Sequence, residues 1–384
     1  MKITGLFKEF FESEKSSGLF LISCTLFSLV IANSAIANSY LHFWHANLAG
    51  NSLEYWINDG LMTIFFLLIG LELEREVYDG ELSNIKDAML PIFGAIGGMI
   101  VPAGLFLVMN FGTKTQSGAG IPMATDIAFA LAILSLLGNK IPLSLKIFLT
   151  ALAVIDDLGA ILIIAVFYTK TLLWTNLCIA LGIFGFLLIL NRLKIRNLIP
   201  YLIGGVFMWY FMLHSGVHAT ITGVLLAFAI PFGNGDSRST SYILQHFLHK
   251  PVAFFILPLF ALANTAIVLS SNISETLIQN YSIGIALGLI IGKPLGIFLL
   301  SMLAVSLGIC KLPDDLNWKS ILAVGFLGGI GFTMSIFITL LAFNDDTIIN
   351  NAKFVILISS LIAGIIGYFS LKYVLKNTII ENKN

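Results

Sequence analysis

Apolar stretches long enough to carry a helix across a bilayer, roughly 20 residues each, follow one another along this chain with no interval wide enough for a separate water-soluble domain. Gly18 to Ala32 and Ile161 to Phe167 are uninterrupted apolar runs within two of them. Water is the wrong solvent for such a chain: only 11% of its 384 residues are charged and 58% are hydrophobic, whereas a soluble domain is about a quarter charged. The expected fold is therefore an all-α polytopic membrane protein of about twelve transmembrane helices. It forms a single membrane domain over 1–384 without linkers or low-complexity tails.

On the length rule the spans fall near 17–37, 56–74, 88–110, 119–137, 143–169, 173–191, 198–213, 216–231, 251–270, 281–307, 319–343 and 350–374. Two of them, 198–213 and 216–231, are short. Orientation follows from the distribution of lysine and arginine, which accumulate on the cytoplasmic side. With both termini in the cytoplasm, only Lys114, Lys170 and Lys353 of the 21 basic residues fall outside, and Lys293 stands alone inside a span. On this reading 40–54, which carries no Lys or Arg, is an outer hairpin and 232–250 a cytoplasmic loop. Net charge is zero and no basic run is long enough to grip nucleic acid. Cys24, Cys178 and Cys310 lie far apart, with neither disulfide nor metal-ligand spacing. Lys2, Lys8 and Lys15 imitate the start of a signal peptide, but Glu9, Glu12 and Glu14 interrupt it and many spans follow, so the first helix is expected to be uncleaved.

A charge at mid-membrane costs at least roughly 2.5 kcal/mol on the most lenient scale. Asp126 in the fourth span, Asp156 and Asp157 in the fifth and Lys293 in the tenth each need a partner or a purpose. Three acids and one base leave surplus negative charge, so at least one acid must carry a proton or hold a cation. Neighbours on a helix point about 100° apart, so Asp156 and Asp157 must have different partners: one faces an ion path while the other reaches Lys293. The competing reading is a buried salt-bridge cluster without transport. Lys293 taken alone fits a structural or a proton-carrying role equally.

Two spans invite interruption. Gly120-Ile121-Pro122-Met123-Ala124-Thr125-Asp126 sets proline and small residues at the start of the fourth. Gly325, Gly328, Gly329 and Gly331, followed by Thr333, do the same in the eleventh. Interrupted spans at corresponding places in two halves mark an inverted-repeat transporter, a rule whose standard examples include NhaA. The alternative is close helix packing at glycine. Half-helix ends carry partial charges that Asp126 and Lys293 are placed to neutralise, and Thr125 adds a hydroxyl oxygen beside Asp126. Carboxylates, a hydroxyl, freed carbonyls and water suit a hard cation such as sodium. No His or Cys cluster offers a softer site, and no cofactor is expected.

Ala124-Thr125-Asp126-Ile127-Ala128-Phe129-Ala130 and Ala153-Val154-Ile155-Asp156-Asp157-Leu158-Gly159-Ala160 resemble the signature segments of NhaA-type Na+/H+ antiporters. Gly70-Leu71-Glu72, Ser215-Gly216-Val217-His218-Ala219-Thr220, Gly292-Lys293-Pro294-Leu295-Gly296 and Gly329-Ile330-Gly331-Phe332-Thr333-Met334-Ser335 resemble the family too, in order from the second span to the eleventh. The resemblance implies that Asp157 is the principal sodium ligand and Asp156 its neighbour paired with Lys293. Thr125 and Asp126 become the broken-helix contribution, with spans 4 and 11 crossing. It implies a pH-sensing cytoplasmic funnel that takes in Glu72, Arg75 and Glu76, together with His246 and His249. It also implies a homodimer in the bacterial inner membrane. Gln245 stands where the family pattern has an acid, which changes the expected pH threshold. His218 resembles a position that influences pH response, although a lone histidine is as often a satisfied hydrogen-bonding residue; Asp59 reads as interfacial.

The activity that the resemblance implies is electrogenic extrusion of Na+, and of Li+, for external protons, at two protons per sodium and regulated by pH. A sodium-coupled symporter would need a solute pocket for which no cluster is evident. An intramembrane aspartyl protease is imitated by Tyr78-Asp79 and Gly233-Asn234-Gly235-Asp236, which lie in loops. More than seven spans, and acidic partners for Lys293, argue against a light-driven pump.

Overall fold

Hydrocarbon offers no hydrogen bonds to the backbone, so each apolar stretch satisfies its own peptide groups as helix. The computed structural model describes residues 2–138, 141–169, 172–233, 235–236, 238–268 and 273–381, with side chains described except at 2–14, 81, 85–87 and 377–381. Lys140, Lys170 and Asn234 lie outside the described residues. In chain order the helices are α1 (Lys2–Ala32), α2 (Ala37–Trp44), α3 (Leu53–Tyr55), α4 (Met62–Tyr78), α5 (Ile85–Asn110), α6 (Ile127–Ser135), α7 (Leu143–Phe167), α8 (Trp174–Arg192) and α9 (Ile199–Leu213). There follow α10 (Ile221–Ala229), α11 (Thr240–Pro251), α12 (Leu257–Asn264), α13 (Ile273–Leu277), α14 (Asn280–Leu287), α15 (Lys293–Ser306), α16 (Trp318–Gly328), α17 (Phe332–Ala342) and α18 (Asp346–Glu381).

Three joints are π-helical: Trp56–Leu61 links α3 to α4, Val252–Ile256 links α11 to α12, and Gly288–Gly292 links α14 to α15. A short antiparallel ribbon, β1 (Asn47–Leu48) and β2 (Asn51–Ser52), interrupts the helices. Its two-residue turn, Ala49-Gly50, has positive φ at both positions, the geometry that matches strand twist.

Among the described residues nine helices, or ten with one bent pair, are long and apolar enough to cross a membrane. The expected spans 198–213 and 216–231 correspond to α9 and α10, 15 and 9 residues long. One expectation changes. The segment 232–250 is not all loop, because α11 starts at Thr240, where the Ser239 side chain accepts the Tyr242 N–H as an N-cap and Leu244 and Leu248 share a buried face. Lys353, in the expected span 350–374, stands in the second turn of α18 and is 5% exposed.

The helices pack as two groups. In one, α5 lies against α7, α14 and α15, and α18 against α14, α16 and α17. In the other, α4 packs on α10 and α11, α1 on α12, and α8 on α9. The groups meet through α1 and α6, α4 and α7, and α12 and α17. Outward faces of α8 and α9 expose Phe186, Ile189, Val206 and Phe207, apolar surface that suits lipid. Within the first group the backbones of α5 and α15 touch: a Cβ on Gly97 would collide with the Gly296 carbonyl, and one on Gly296 with the Gly97 carbonyl.

Candidate ion site

Proline and glycine interrupt the chain at two places, and those interruptions meet. Gln116–Met123 is a 3₁₀ turn, Ala124 and Asp126 are extended, and α6 begins at Ile127. Opposite, α16 ends at Gly328 and α17 starts at Phe332, the pair bent by 50°. The Asp126 N–H donates to the Ile330 carbonyl at 2.7 Å, so one break hydrogen-bonds to the other. None of Gly328, Gly329 and Gly331 takes a positive φ. Glycine is needed at 329 for another reason: a Cβ there would strike the Leu289 carbonyl oxygen.

Both half-helices that begin at the breaks are capped by one side chain. Asp126 Oδ1 accepts the Phe129 N–H at 3.0 Å, and Oδ2 accepts the Thr333 N–H at 3.1 Å and the Thr333 hydroxyl. A carboxylate at two positive helix ends is held by charge–dipole attraction as well as hydrogen bonds. On the other side, the fully buried Lys293 ammonium donates to the Met123 carbonyl at the end of the 3₁₀ turn and lies 2.8 Å from Asp156 Oδ2. Lys293 opens α15 directly after the π-helical joint, whose wider turn sets the direction of its side chain.

The neighbouring acids do part company. Asp156 turns to Lys293 and to Thr125, whose hydroxyl lies 2.7 Å from Asp156 Oδ2 and 2.9 Å from the Gly328 carbonyl. With one proton, that hydroxyl donates to one of them at a time, so Thr125 serves Asp156 and the end of α16 instead of standing free beside Asp126. Asp157 turns into a cavity of about 50 Å³, room for a few waters, whose lining includes Thr125, Asp126, Thr333, Glu72 and His249. It is 1% exposed and feels the charges of Asp156, Asp126, Glu72 and Lys293, and its Oδ1, like Asp156 Oδ1, has no hydrogen-bond partner among the described residues. A desolvated carboxylate on the wall of a small cavity is suited to hold either a proton or a bare cation.

The remaining named residues divide. Glu72 and His249 line the cavity. Arg75 and Glu76 lie 3.4 Å apart and His246, exposed, stacks on Tyr242, all outside the cavity lining. His218 Nε2 lies 3.0 Å from the Tyr168 carbonyl, at the end of α7. Asp59 sits in the π-helical stretch, its carbonyl accepting the Thr63 hydroxyl. Gln245 is buried.

Two charges escaped the sequence reading. Glu74 is 4% exposed, with Oε2 lacking a partner among the described residues; sharing a face with Leu67, Gly70 and Leu71, at the i−7, i−4 and i−3 positions, would have signalled it. The other is Lys353, whose ammonium lies 3.8 Å from Glu54 and 3.3 Å from Asn264 Oδ1.

A family model described as Na+/H+ antiporter 1 matches residues 8–371. The chain is 66% identical over 381 residues to a protein named Na(+)/H(+) antiporter NhaA 1 from Flavobacterium johnsoniae, covering 98% of this chain and 100% of that one. It is 61% identical to Na(+)/H(+) antiporter NhaA from Cytophaga hutchinsonii (99% and 98% covered) and 58% identical to the protein of that name from Dechloromonas aromatica (98% of each).

Proposed function

The chain belongs to the Na+/H+ antiporter 1 family, and from that premise we propose that it is a secondary antiporter, not an enzyme, that expels Na+ and Li+ in exchange for external protons. Asp157 is the exchanging group: it releases a proton when it takes sodium and releases sodium when it takes a proton. Thr125 and Asp126 belong to the same site, and Lys293 compensates Asp156 or surrenders the second proton. Two protons then enter for each sodium that leaves, and the cycle moves net charge. A site loaded with either ion opens alternately to the two sides, while the empty, fully charged site does not move.

In this reading the chain is a single domain that crosses the bacterial inner membrane twelve times with both termini in the cytoplasm. The interruptions at 124–126 and 328–332 are the two broken, crossing spans of an inverted repeat. The cavity opens to the cytoplasm, and Glu72 and His249 on its wall, with Arg75, Glu76, His246 and His218 further off, set the pH response. The β1–β2 ribbon is the homodimer contact.

One observation carries the proposal: of the two adjacent buried acids, Asp156 is tied to Lys293 and Thr125, whereas Asp157 faces the cavity. The test is sodium-induced proton release from purified protein at several pH values. The parent releases protons on addition of Na+, and Asp157→Asn, folded by its elution and melting profile, releases none; release at the parent level from Asp157→Asn overturns the assignment.

A further inference from the structure

A cavity that reaches Asp157 from one side implies a closure on the other, and the second buried lysine marks where it lies. The continuous helical stretch 53–78 carries Glu54 and Asn58 in its first turns and Glu72 near its end. The stretch 240–264 carries His249 near its start and Asn264 as its last residue. At ~1.5 Å per residue, Asn58 stands about 20 Å from Glu72 and Asn264 about 20 Å from His249, the lining residues farthest from them, and each stands about 10 Å from the nearest, Phe65 and Leu257. Glu54, Asn58 and Asn264 therefore gather at the end of the molecule opposite Glu72 and His249.

They gather around a group from elsewhere. Asn264 Nδ2 donates to Asn58 Oδ1 at 2.7 Å, leaving Asn264 Oδ1 turned to the Lys353 ammonium at 3.3 Å, with Glu54 at 3.8 Å from the same ammonium. Glu54, Asn58 and Asn264 belong to the helix group built on α1, α4 and α10–α12; Lys353 is on α18, in the group that holds Asp126, Asp156, Asp157 and Lys293. At 5% exposure the ammonium has exchanged water for this nest, and a buried cation withdrawn from its partners must find others or water. The contact joins the two groups at this end, so a separation of the groups there would break it.

We propose that Lys353, seated in the nest of Glu54, Asn58 and Asn264, is the latch that closes the ion path on the side opposite the cavity, and that its release is a step of every transport cycle. This rests on the antiport reading above and adds to it a closure at the end of the molecule opposite Glu72 and His249.

The test uses the full chain with Cys24, Cys178 and Cys310 replaced by serine, in membrane vesicles of both orientations. Thr265→Cys, beside the latch and buried, reports opening through its rate of reaction with a membrane-impermeant thiol reagent. Lys353→Met raises that rate about tenfold from the side opposite the cavity only, and Lys353→Arg leaves it at the parent value; an unchanged rate in a well-folded Lys353→Met overturns the proposal. A second arm does not depend on that variant. Glu54→Cys with Lys353→Cys, joined by a short cleavable bis-thiosulfonate linker, loses sodium-dependent proton exchange and regains it on cleavage. Undiminished exchange in the linked protein overturns the latch while leaving antiport intact, whereas a parent without sodium-dependent proton movement overturns the antiport reading itself.

Discussion

Removing the ammonium from Lys293 tests the central ion pair. Nζ lies 2.8 Å from Asp156 Oδ2 and neither side chain is exposed. Stripping one partner from a buried pair costs about 3–5 kcal/mol, because the other charge stays behind desolvated, whereas removing both is often neutral or stabilising. Lys293→Met also leaves the Met123 carbonyl without its donor, about 1 kcal/mol more. Asp156 retains one compensation, the Thr125 hydroxyl. The expected loss for Lys293→Met is therefore about 4 kcal/mol, and adding Asp156→Asn recovers about half or more of it, since no bare carboxylate remains. The assay is a double-mutant cycle on denaturant unfolding of the detergent-solubilised protein, followed by intrinsic fluorescence. The penalty is largest at high pH, where Asp156 is ionised, and shrinks as pH falls and the carboxyl takes up a proton. Single-variant costs that sum to the double-variant cost within about 0.5 kcal/mol would mean the two residues do not interact, and the reasoning fails.

Other outcomes follow from the same contacts. Thr333→Val removes a hydroxyl bond to a carboxylate and lowers unfolding free energy by about 1.5–3 kcal/mol, while Thr333→Ser keeps the parent value in the same measurement. Gly296→Val drives side-chain carbon into the Gly97 carbonyl and costs at least about 1–3 kcal/mol, seen as a lowered melting temperature; Gly182→Ala, at a position with open space inside α8, does not lower it. His246→Ala, at an exposed side chain outside the cavity lining, shifts the pH profile of exchange less than His249→Ala does; an equal shift would remove the distinction between them.

Asp126, Asp156, Asp157 and Lys293 were legible because an ionised group inside a long apolar run is an energetic anomaly wherever the helix happens to pack. The different directions of Asp156 and Asp157 were legible from helical geometry alone. Lys353 was not, since a lysine near the end of an apolar stretch looks like any interfacial cation, and its partners come from 54 and 264, far away in sequence. His246 and His249 could not be told apart before the helix they share was placed. Glycines at 328–331 pointed to an interruption, but the reason for Gly329, a carbonyl of another helix lying where its Cβ would be, exists only in the assembled bundle. The helical start of α11 was hidden by the polar composition of 240–250.

The mutual approach of Gly97 and Gly296 bears on how such a molecule moves. Where two main chains lie in contact there are no side chains to swivel, and shifting one past the other means lifting them apart against both carbonyls. α5 and α15 thus travel as one body, with Lys293 on α15 and with α7, the bearer of Asp156 and Asp157, packed on α5, so a stroke falls to the seams where the two groups meet, α1 with α6, α4 with α7 and α12 with α17.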